Sequence, residues 1–290
     1  MNALASPAFA SAGALLDGAP GLALQWSLRL DRGGATVRDR VIAWIAPDNR
    51  AGRSSVYRPI GALLAKFGAP LSVRQDQWRL AGASTSQGIG MSLDGSDSEL
   101  CLYIAVDSPG GTRYLCYRWR EEGLVEHARY SCHALPATAA GVAPAACVHA
   151  ALQTACVQAT MGEAARRQAP FWLRRRDGLV DRTSLEYRWQ PPLARVATLL
   201  GAAFPALLTD PVFARYRHHH FRHLAFSGTA TPAPFATVAF CAPWHAPWPA
   251  SAAQLHEGVR HAAGAQFRRI ESRTAAVAVT PPRDVECNLS

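Results

Sequence analysis

The feature that most constrains this chain is a paired-strand unit that occurs five times. Each unit is a short apolar run, a polar turn rich in Gly, Asp or Arg, and a second apolar run, which is the pattern of a β-hairpin. The predicted pairs are residues 22–30 with 38–46, 85–93 with 98–106, 114–120 with 124–132, 171–176 with 182–189, and 223–228 with 235–241. A supersecondary unit repeated along a chain sets its architecture. The sequence therefore predicts ten antiparallel strands.

Ala/Leu-rich segments lie between most of the hairpins and predict helices. Residues 56–67 carry apolar side chains at helical spacing, and Gly68 is a plausible stop. Further helices are expected at 145–167, 193–204, 211–220 and 250–269, whereas 107–113 is too short to hold one. Ten such strands can close around a ligand-sized lumen. We therefore expect an α+β fold, a ten-stranded antiparallel β-barrel surrounded by helices.

A single domain is the simplest organisation, because no segment of linker-like composition divides the chain. We expect a short N-terminal helix or disordered start at 1–20, one barrel domain at 21–279 and a flexible tail at 280–290. No run reaches 18 uninterrupted apolar residues, and no basic region precedes the N-terminal apolar stretch. Seven cysteines lack CxxC spacing, which favours reduced thiols over disulfides or zinc. Together these features predict a cytoplasmic protein without a membrane span.

The positive charge is carried almost entirely by arginine. The formal net charge is +9, and Lys66 is the only lysine. Any anion site must therefore be built largely from guanidinium groups, which bind phosphate oxygens bidentately. Nucleic acid is the obvious partner for a basic chain. Because the arginines are dispersed and no helix-turn-helix, zinc finger or RNP-like motif is present, we expect no nucleic-acid partner.

Three of the hairpins carry motifs of a known family. The matching stretches are Gly88-Ile89-Gly90-Met91 with Ser98-Glu99-Leu100-Cys101-Leu102-Tyr103, then Tyr117-Arg118-Trp119 with Gly123 and Tyr130, and finally Leu185-Glu186-Tyr187. In this order they resemble the "GIDLR…SSLKMY", "FDF…G…ELY" and "LYY" hairpins of cyanobactin-type peptide prenyltransferases. That family has the ABBA prenyltransferase barrel, so the resemblance agrees with the barrel predicted from the hairpins.

The resemblance implies transfer of a dimethylallyl or geranyl group from its diphosphate to a nucleophilic side chain. In that family the acceptors are residues of ribosomally made, macrocyclic peptides, and Mg²⁺ is bound through the donor diphosphate. We accordingly expect an isoprenyl diphosphate co-substrate, a peptide substrate and a monomer or homodimer. Two alternatives stay open: a small-molecule aromatic prenyltransferase, or a non-catalytic barrel that binds an isoprenoid or a peptide. An open barrel mouth suits a peptide, and a capped lumen suits a small molecule.

The resemblance also assigns candidate diphosphate-binding residues. In the family a catalytic Glu on the first strand is followed fifteen positions later by a diphosphate-binding Arg, and here those positions hold Gln25 and Arg40. Cations must surround a leaving diphosphate because negative charge grows there in the transition state. Cys101 stands where the family has a diphosphate-binding Lys, and Arg118 and Arg188 are candidate replacements.

The reacting carbocation needs π faces and shielding from water. Tyr103, Tyr130 and Tyr187 end the second strands of successive hairpins and are predicted to form that ring. Three residues after the diphosphate Arg, relatives with a five-carbon donor tend to carry a bulky aromatic. Here the position holds Ala43, which favours geranyl over dimethylallyl diphosphate.

The departures from the family concern proton transfer. Gln25 cannot take a proton, Gly90 replaces an Asp, and Ser92 replaces an Arg. Glu99, Glu126 and Glu186 lie on second strands and could supply a carboxylate, and strand parity favours Glu126 and Glu99 as catalytic groups.

Two further clusters stand out in the last third of the chain. His219 and His223 have the i, i+4 spacing that can hold a metal on a helix. No carboxylate nearby completes a site, so we predict a helix end with solvated imidazoles and no metal centre. The segment 243–248 is a Pro/Trp loop that either covers a barrel mouth or packs on the body of the protein.

Overall fold

The structure is a computed structural model that describes residues 6–47, 53–95, 98–108, 111–134, 170–176, 179–187, 190–227 and 235–279. The strands are β1 (Leu22–Asp31), β2 (Gly34–Val37), β3 (Arg40–Ile45), β4 (Ser84–Ser92), β5 (Leu100–Ser108), β6 (Gly111–Arg120), β7 (Gly123–Ala134), β8 (Pro170–Arg176), β9 (Leu179–Glu186), β10 (His223–Ser227) and β11 (Ala236–Pro243). The helices are α1 (Pro7–Leu16), α2 (Arg53–Val56), α3 (Arg58–Lys66), α4 (Leu71–Leu80), α5 (Ala197–Ala203), α6 (Pro211–Tyr216) and α7 (Ala252–Val279). Two 3₁₀ turns, Leu193–Val196 and Pro205–Leu208, flank α5.

The strands form one sheet that closes on itself. Neighbours follow the order β1-β3-β4-β5-β6-β7-β8-β9-β10-β11, and β11 pairs back with β1 over the eight positions from Ala23 to Leu30. All pairs are antiparallel, and β2 adds to the second half of β1. The shortest strand of the barrel wall is β10, which has five residues. The predicted fold class, a ten-stranded antiparallel barrel with helices around it, is confirmed.

The predicted first hairpin differs from the observed one in a single respect. Its second strand is divided: β2 pairs with the end of β1, and β3 pairs with the beginning of β1. The side chain of Asp210 supports this division, because Oδ2 accepts from the backbone N–H of Ala35 (3.1 Å) while Oδ1 caps α6 through Phe213 N–H (2.8 Å). One carboxylate thus joins the short strand to a helix outside the wall.

The hydrophobic core lies between the wall and the helices. In β1 the residues alternate strictly: Leu24, Trp26 and Leu28 are buried on the outer face, whereas Gln25 and the other odd-numbered residues point into the barrel. Helix α7 packs along β11 and β1 on the outside. The barrel interior is therefore free to be polar, because burial of the outer face supplies the apolar area that folding needs.

The helices of the first half follow the sequence signals unevenly. Gly68 has φ 64° and ends α3, as expected of a glycine that caps a helix in the left-handed region. Helix α4 was not predicted, because only Val73 and Gln77 are buried along it and its apolar Leu71 and Trp78 are exposed. The predicted helix at 145–167 lies outside the described residues.

Among the described helices, none has the length and apolar character required to cross a membrane.

Candidate active-site cavity

The barrel encloses a cavity of about 510 Å³. Pockets of roughly 300–1,000 Å³ hold most small-molecule ligands. Among the described residues that line it are five arginines and a single carboxylate, that of Glu186. The arginines are Arg29, Arg38, Arg40, Arg118 and Arg222. A cavity with this excess of cations attracts an anion.

At one end of the cavity, two of these arginines are bound by the buried carboxylates of Glu99 and Glu126, which are not themselves lining residues. We call this the turn end: here Arg40 begins β3, Glu99 directly precedes β5, and Arg118 stands two residues from the end of β6. Arg40 Nη2 donates to Glu99 Oε1 (3.1 Å). Arg118 donates to the same oxygen through Nε (2.7 Å) and to Glu126 Oε2 through Nη1 (2.8 Å). Both carboxylates are only 4% exposed, whereas the side chain of Arg118 is 34% exposed.

Because Glu99 and Glu126 are bound to Arg118 in this network, neither carboxylate is well placed to act as a general base. Although burial lowers the pKa of the Arg118 guanidinium, hydrogen bonds to Glu126 and Glu99 raise it above its ordinary value overall. Each carboxylate is therefore engaged in a salt bridge with the guanidinium of Arg118. An ion-paired carboxylate of this kind orients the arginines toward an anion. It is poorly placed to take a proton from a second substrate.

Cys101 takes part in the same network. Arg40 Nη1 donates to Cys101 Sγ (2.6 Å). A hydrogen bond with Cys116 and the charges of Arg40 and Arg118 outweigh burial and lower the pKa of the Cys101 thiol to about 7. At the position of the family lysine the chain thus holds a polarisable thiol between two guanidinium groups, and the positive charge at this end comes from Arg40 and Arg118.

Aromatic rings line the middle of the cavity. Trp44 and Tyr103 lie with ring centroids 5.6 Å apart, and Tyr114 and Tyr130 are opposite each other on β6 and β7. Burial, and secondarily the thiols of Cys101 and Cys116, raise the pKa of the Tyr103 hydroxyl well above its usual value. These rings adjoin the arginine network and present neutral π faces, which stabilise a cation. Sequence reasoning overlooked Trp44 and Tyr114, although strand parity with Arg40 and Arg118 could have found both.

Gln25 lies in the cavity and is held by Trp44. The indole Nε1–H of Trp44 donates to Gln25 Oε1 (3.0 Å). An amide neither gains nor loses a proton at neutral pH. In this chain the position of the family's glutamate therefore orients an aromatic ring.

Three of the predicted site residues do not contribute described side chains to the cavity. Tyr187 is fully buried on the outer face of the wall, where its ring meets that of Phe221 with centroids 5.1 Å apart. Ala43 also faces outward and is fully buried in the core, since its neighbours Ile42 and Trp44 point inward. Its small size thus adds no room to the cavity, which removes the reason for expecting a ten-carbon donor. Arg188 lies outside the described residues.

A second charged group lies at the opposite end of the cavity. Glu186 ends β9 and His223 begins β10, and the two residues are partners across these strands. Arg222 donates to Glu186 Oε1 through Nε (2.9 Å) and Nη2 (2.7 Å). Burial lowers the pKa of His223 to about 4, so its imidazole is neutral at pH 7. Strand alternation places the side chain of Glu186 inside the cavity, whereas its neighbour Tyr187 is buried outside it.

The histidine cluster differs from its prediction. His223 points into the barrel, whereas His219 packs outside it against Trp26, with ring centroids 6.2 Å apart. Burial lowers the pKa of His219 to about 4 as well, so neither imidazole behaves as a solvated one. The wall separates them, and they cannot share a metal. The described ranges contain no group of three or more His, Cys, Asp or Glu side chains able to hold a metal ion.

The Pro/Trp loop packs on the body of the protein. Trp248 contacts Phe9 of α1 with ring centroids 5.0 Å apart, and Trp244 is 8% exposed and donates to the carbonyl of Pro247 (3.2 Å). The loop therefore fastens the end of β11 to α1.

Fold and site together define an antiparallel barrel protein with an arginine-rich, aromatic-lined cavity. No protein-family model matches the chain, and no curated protein matches it. Among solved structures the chain is similar to AnaPT from Neosartorya fischeri, with 12% identity over 79% of each chain and a TM-score of 0.39. The resemblance to cyanobactin-type enzymes stays a prediction from the sequence.

Proposed function

We propose that this chain is a prenyltransferase that transfers an isoprenyl group from its diphosphate to a nucleophilic acceptor inside the barrel. The observation that carries the proposal is the composition of the cavity: five arginines and one carboxylate line it, and aromatic rings adjoin the Arg40–Arg118 network. An allylic diphosphate needs both features. Guanidinium groups stabilise the charge that grows on the leaving diphosphate, and π faces stabilise the carbocation that remains.

The donor diphosphate would bind at the turn end. The guanidinium groups of Arg40 and Arg118 are already oriented by Glu99, so they can donate to phosphate oxygens at little reorganisation cost. Arg38 also lines this end of the cavity and supplies a further positive charge. The isoprenyl chain would then extend toward Trp44 and Tyr103.

Trp44 is the bulkiest side chain in the middle of the cavity, and its position favours the five-carbon dimethylallyl donor. The indole of Trp44 donates a hydrogen bond to Gln25 and contacts the ring of Tyr103. A longer chain would have to displace this ring. Geranyl diphosphate is the competing donor in the test below.

Magnesium would bind together with the diphosphate and not through a dedicated set of protein ligands. Mg²⁺ usually binds through one or two carboxylates and substrate phosphates. Glu99 and Glu126 are the carboxylates that contact Arg118 at the turn end, and both are engaged in ion pairs. We therefore assign no step of the reaction to the metal, and chelation by EDTA is the direct test of any requirement.

A peptide side chain is the acceptor that the sequence resemblance supports, and a small aromatic molecule is the alternative. The experiment is mass spectrometry of a peptide panel with Tyr, Trp, Arg, His and Lys acceptors, incubated with Mg²⁺ and either dimethylallyl or geranyl diphosphate. A parallel reaction offers simple phenols and indoles. We expect a single prenyl mass on one acceptor class, with dimethylallyl preferred. If neither set is modified while the donor still binds, the barrel is an isoprenoid-binding protein and the proposal is wrong.

A further inference from the structure

The proposed transfer releases a proton from the acceptor, and the family's base is missing here. The side-chain amide of Gln25 is hydrogen-bonded to Trp44 and cannot accept that proton. Glu99 and Glu126 are the carboxylates that strand parity favoured, but both are ion-paired with Arg118 at the turn end. If the diphosphate occupies that end, these carboxylates lie beside the leaving group. The acceptor must find its base elsewhere in the cavity.

We propose that His223, oriented by Glu186 and Arg222, is the general base that deprotonates the acceptor. This inference rests on the proposed function. His223 begins β10 and Glu186 ends β9, so both lie at the end of the cavity opposite to Arg40 and Arg118. Trp44, Tyr103 and Tyr114 line the same cavity. An acceptor held at this end would approach the carbocation from the side away from the diphosphate.

The surroundings of His223 fit a base that is neutral before the reaction. Desolvation by burial lowers the pKa of His223 to about 4, so at neutral pH one ring nitrogen carries a lone pair. Glu186 faces it directly across the strands, and the carboxylate stabilises the imidazolium that forms. A bound diphosphate adds negative charge to the cavity and raises the proton affinity of the imidazole further.

Arg222 acts as a positioning residue in this group. Its guanidinium donates twice to Glu186 Oε1 and so holds the carboxylate of Glu186 in one orientation. The backbone of Arg222 is fixed as well, because its N–H donates to the carbonyl of Ala239 (2.8 Å) and its own carbonyl accepts from Tyr187 N–H (2.6 Å). The pair thus fixes Glu186 relative to His223.

The step balances without any further reactant. The C–O bond of the donor breaks and its electron pair leaves with the diphosphate. A lone pair or π bond of the acceptor attacks the allylic carbon, a new bond to that carbon forms, and the acceptor proton moves to the neutral imidazole nitrogen of His223. Diphosphate release and solvent then return His223 to its neutral form.

The test compares His223→Gln with the parent protein, using the acceptor that the panel identifies. General-base catalysis contributes typically 10²–10⁴-fold. We expect prenyl transfer to fall at least about 100-fold while the dissociation constant of the donor changes less than about threefold. Prenyl alcohol, formed when water captures the carbocation, should become the main product. His245→Gln is the matched control, since His245 lies in the exposed Pro/Trp loop, and it should retain parental transfer.

A second pair of measurements separates a base from a structural histidine. His223→Ala should regain transfer when imidazole is added to the buffer, which a merely structural role would not show. Glu186→Gln keeps the shape of its side chain and should lower transfer without weakening donor binding. If melting curves show that the His223 variants do not fold, the Glu186→Gln variant is used to test the proposal instead.

The outcomes distinguish the two proposals. Parental transfer in folded His223→Gln, or equal loss of donor binding and transfer, overturns the base assignment and leaves the prenyltransferase intact. If the parent protein transfers nothing to any acceptor, the proposed function fails and this inference fails with it.

Discussion

At the scale of single residues, the cavity is distinguished by arginines that are held in place before any ligand arrives. Arg40 contacts Glu99 twice, through the side-chain Oε1 and through the backbone carbonyl (3.2 Å), and also contacts Cys101. Three acceptors fix one guanidinium group, whose side chain is 17% exposed. Such preorganisation lowers the entropic cost of binding an anion.

Replacing Arg40 by Ala should therefore weaken donor binding more than it weakens the fold. A hydrogen bond to a charged group contributes about 1.5–3 kcal/mol. We expect the dissociation constant of dimethylallyl diphosphate to rise by about 10- to 100-fold, with a comparable loss of transfer. Isothermal titration calorimetry with the donor alone measures the first effect, and initial rates measure the second.

The matched control is Arg79→Ala. Arg79 also pairs with a carboxylate, that of Asp76, but lies on α4 and its side chain is 72% exposed. Both donor binding and transfer should stay at the parental level in this variant. Donor binding at full strength in Arg40→Ala would contradict the placement of the diphosphate at the turn end.

At the scale of elements, one glycine in β4 sets the position of the aromatic wall. A Cβ on Gly88 would lie 2.6 Å from Trp44 Cε3, so the indole occupies the space that any other residue at position 88 would fill. Gly88 and Trp44 are direct partners between β4 and β3. The glycine of the family-like motif is thus explained by close approach of a ring to the backbone.

Gly88→Ala should displace Trp44 and destabilise the protein. Overpacking a filled interior typically costs about 1–3 kcal/mol, and here the ring must also give up its bond to Gln25. We expect a lower midpoint in urea unfolding and a slower transfer reaction. Adding Trp44→Leu to Gly88→Ala removes the ring and should restore part of the lost stability. A double variant that is no more stable than Gly88→Ala would show that the clash is not the cause.

Gly61→Ala in α3 is the control for the backbone effect of alanine. Its nearest contact, Gln77 Oε1, would lie 3.4 Å from the new Cβ. Since alanine favours helix over glycine by about 1 kcal/mol, this variant should be as stable as the parent or slightly more stable.

The elements also show what the sequence could and could not predict. The hairpins were predictable because their turns and apolar runs are local signals, and β4 to β7 match the predicted strands closely. Which side chains face the cavity was harder to predict, because both faces of the wall are buried. On β5, Cys101, Leu102 and Ile104 are all fully buried, so no polar alternation separates inside from outside. For this reason the sequence predicts Tyr187 to face the cavity although it is buried outside, and favours Glu99 and Glu126 over Glu186, which lines the cavity.

At the scale of the whole molecule, the barrel separates two roles that a compact core could not combine. Apolar burial between the wall and the helices stabilises the fold, and the interior is left for charge. Arg40 and Arg118 lie at one end of the interior, the Glu186–Arg222–His223 group lies at the other, and aromatic rings line the same cavity. The proposed chemistry uses this separation, because it keeps the carboxylate of Glu186 away from the negative charge of the diphosphate.

The contact between α7 and the wall makes the stability of the whole protein sensitive to acid. His256 of α7 stacks on Trp26 of β1 with ring centroids 4.0 Å apart, and Tyr216 donates to or accepts from its Nδ1 at 3.2 Å. Burial lowers the pKa values of His219 and His256 to about 4. Both imidazoles are therefore packed in their neutral form between a strand and two helices.

We expect the melting temperature to fall as the pH decreases from about 6.5 toward 4. In the unfolded chain these histidines bind protons near pH 6.5, whereas in the folded protein they do so only near pH 4. Between those values the unfolded state binds more protons, so stability is complete above the unfolded pKa and is lost as the pH falls. Differential scanning calorimetry at pH 7.5, 6.5, 5.5 and 4.5 measures the slope.

The double variant His219→Gln/His256→Gln should flatten this slope between pH 6.5 and 5, where carboxylates have not yet begun to protonate substantially. The groups that act electrostatically on His219 are Arg260, Glu257, Arg215 and His220, and all four are kept in the double variant, so the comparison isolates positions 219 and 256. His245→Gln should keep the parental slope, because His245 is exposed in the loop after β11. An unchanged slope in the double variant would mean that other groups, and not the α7 contact, make the protein acid-sensitive.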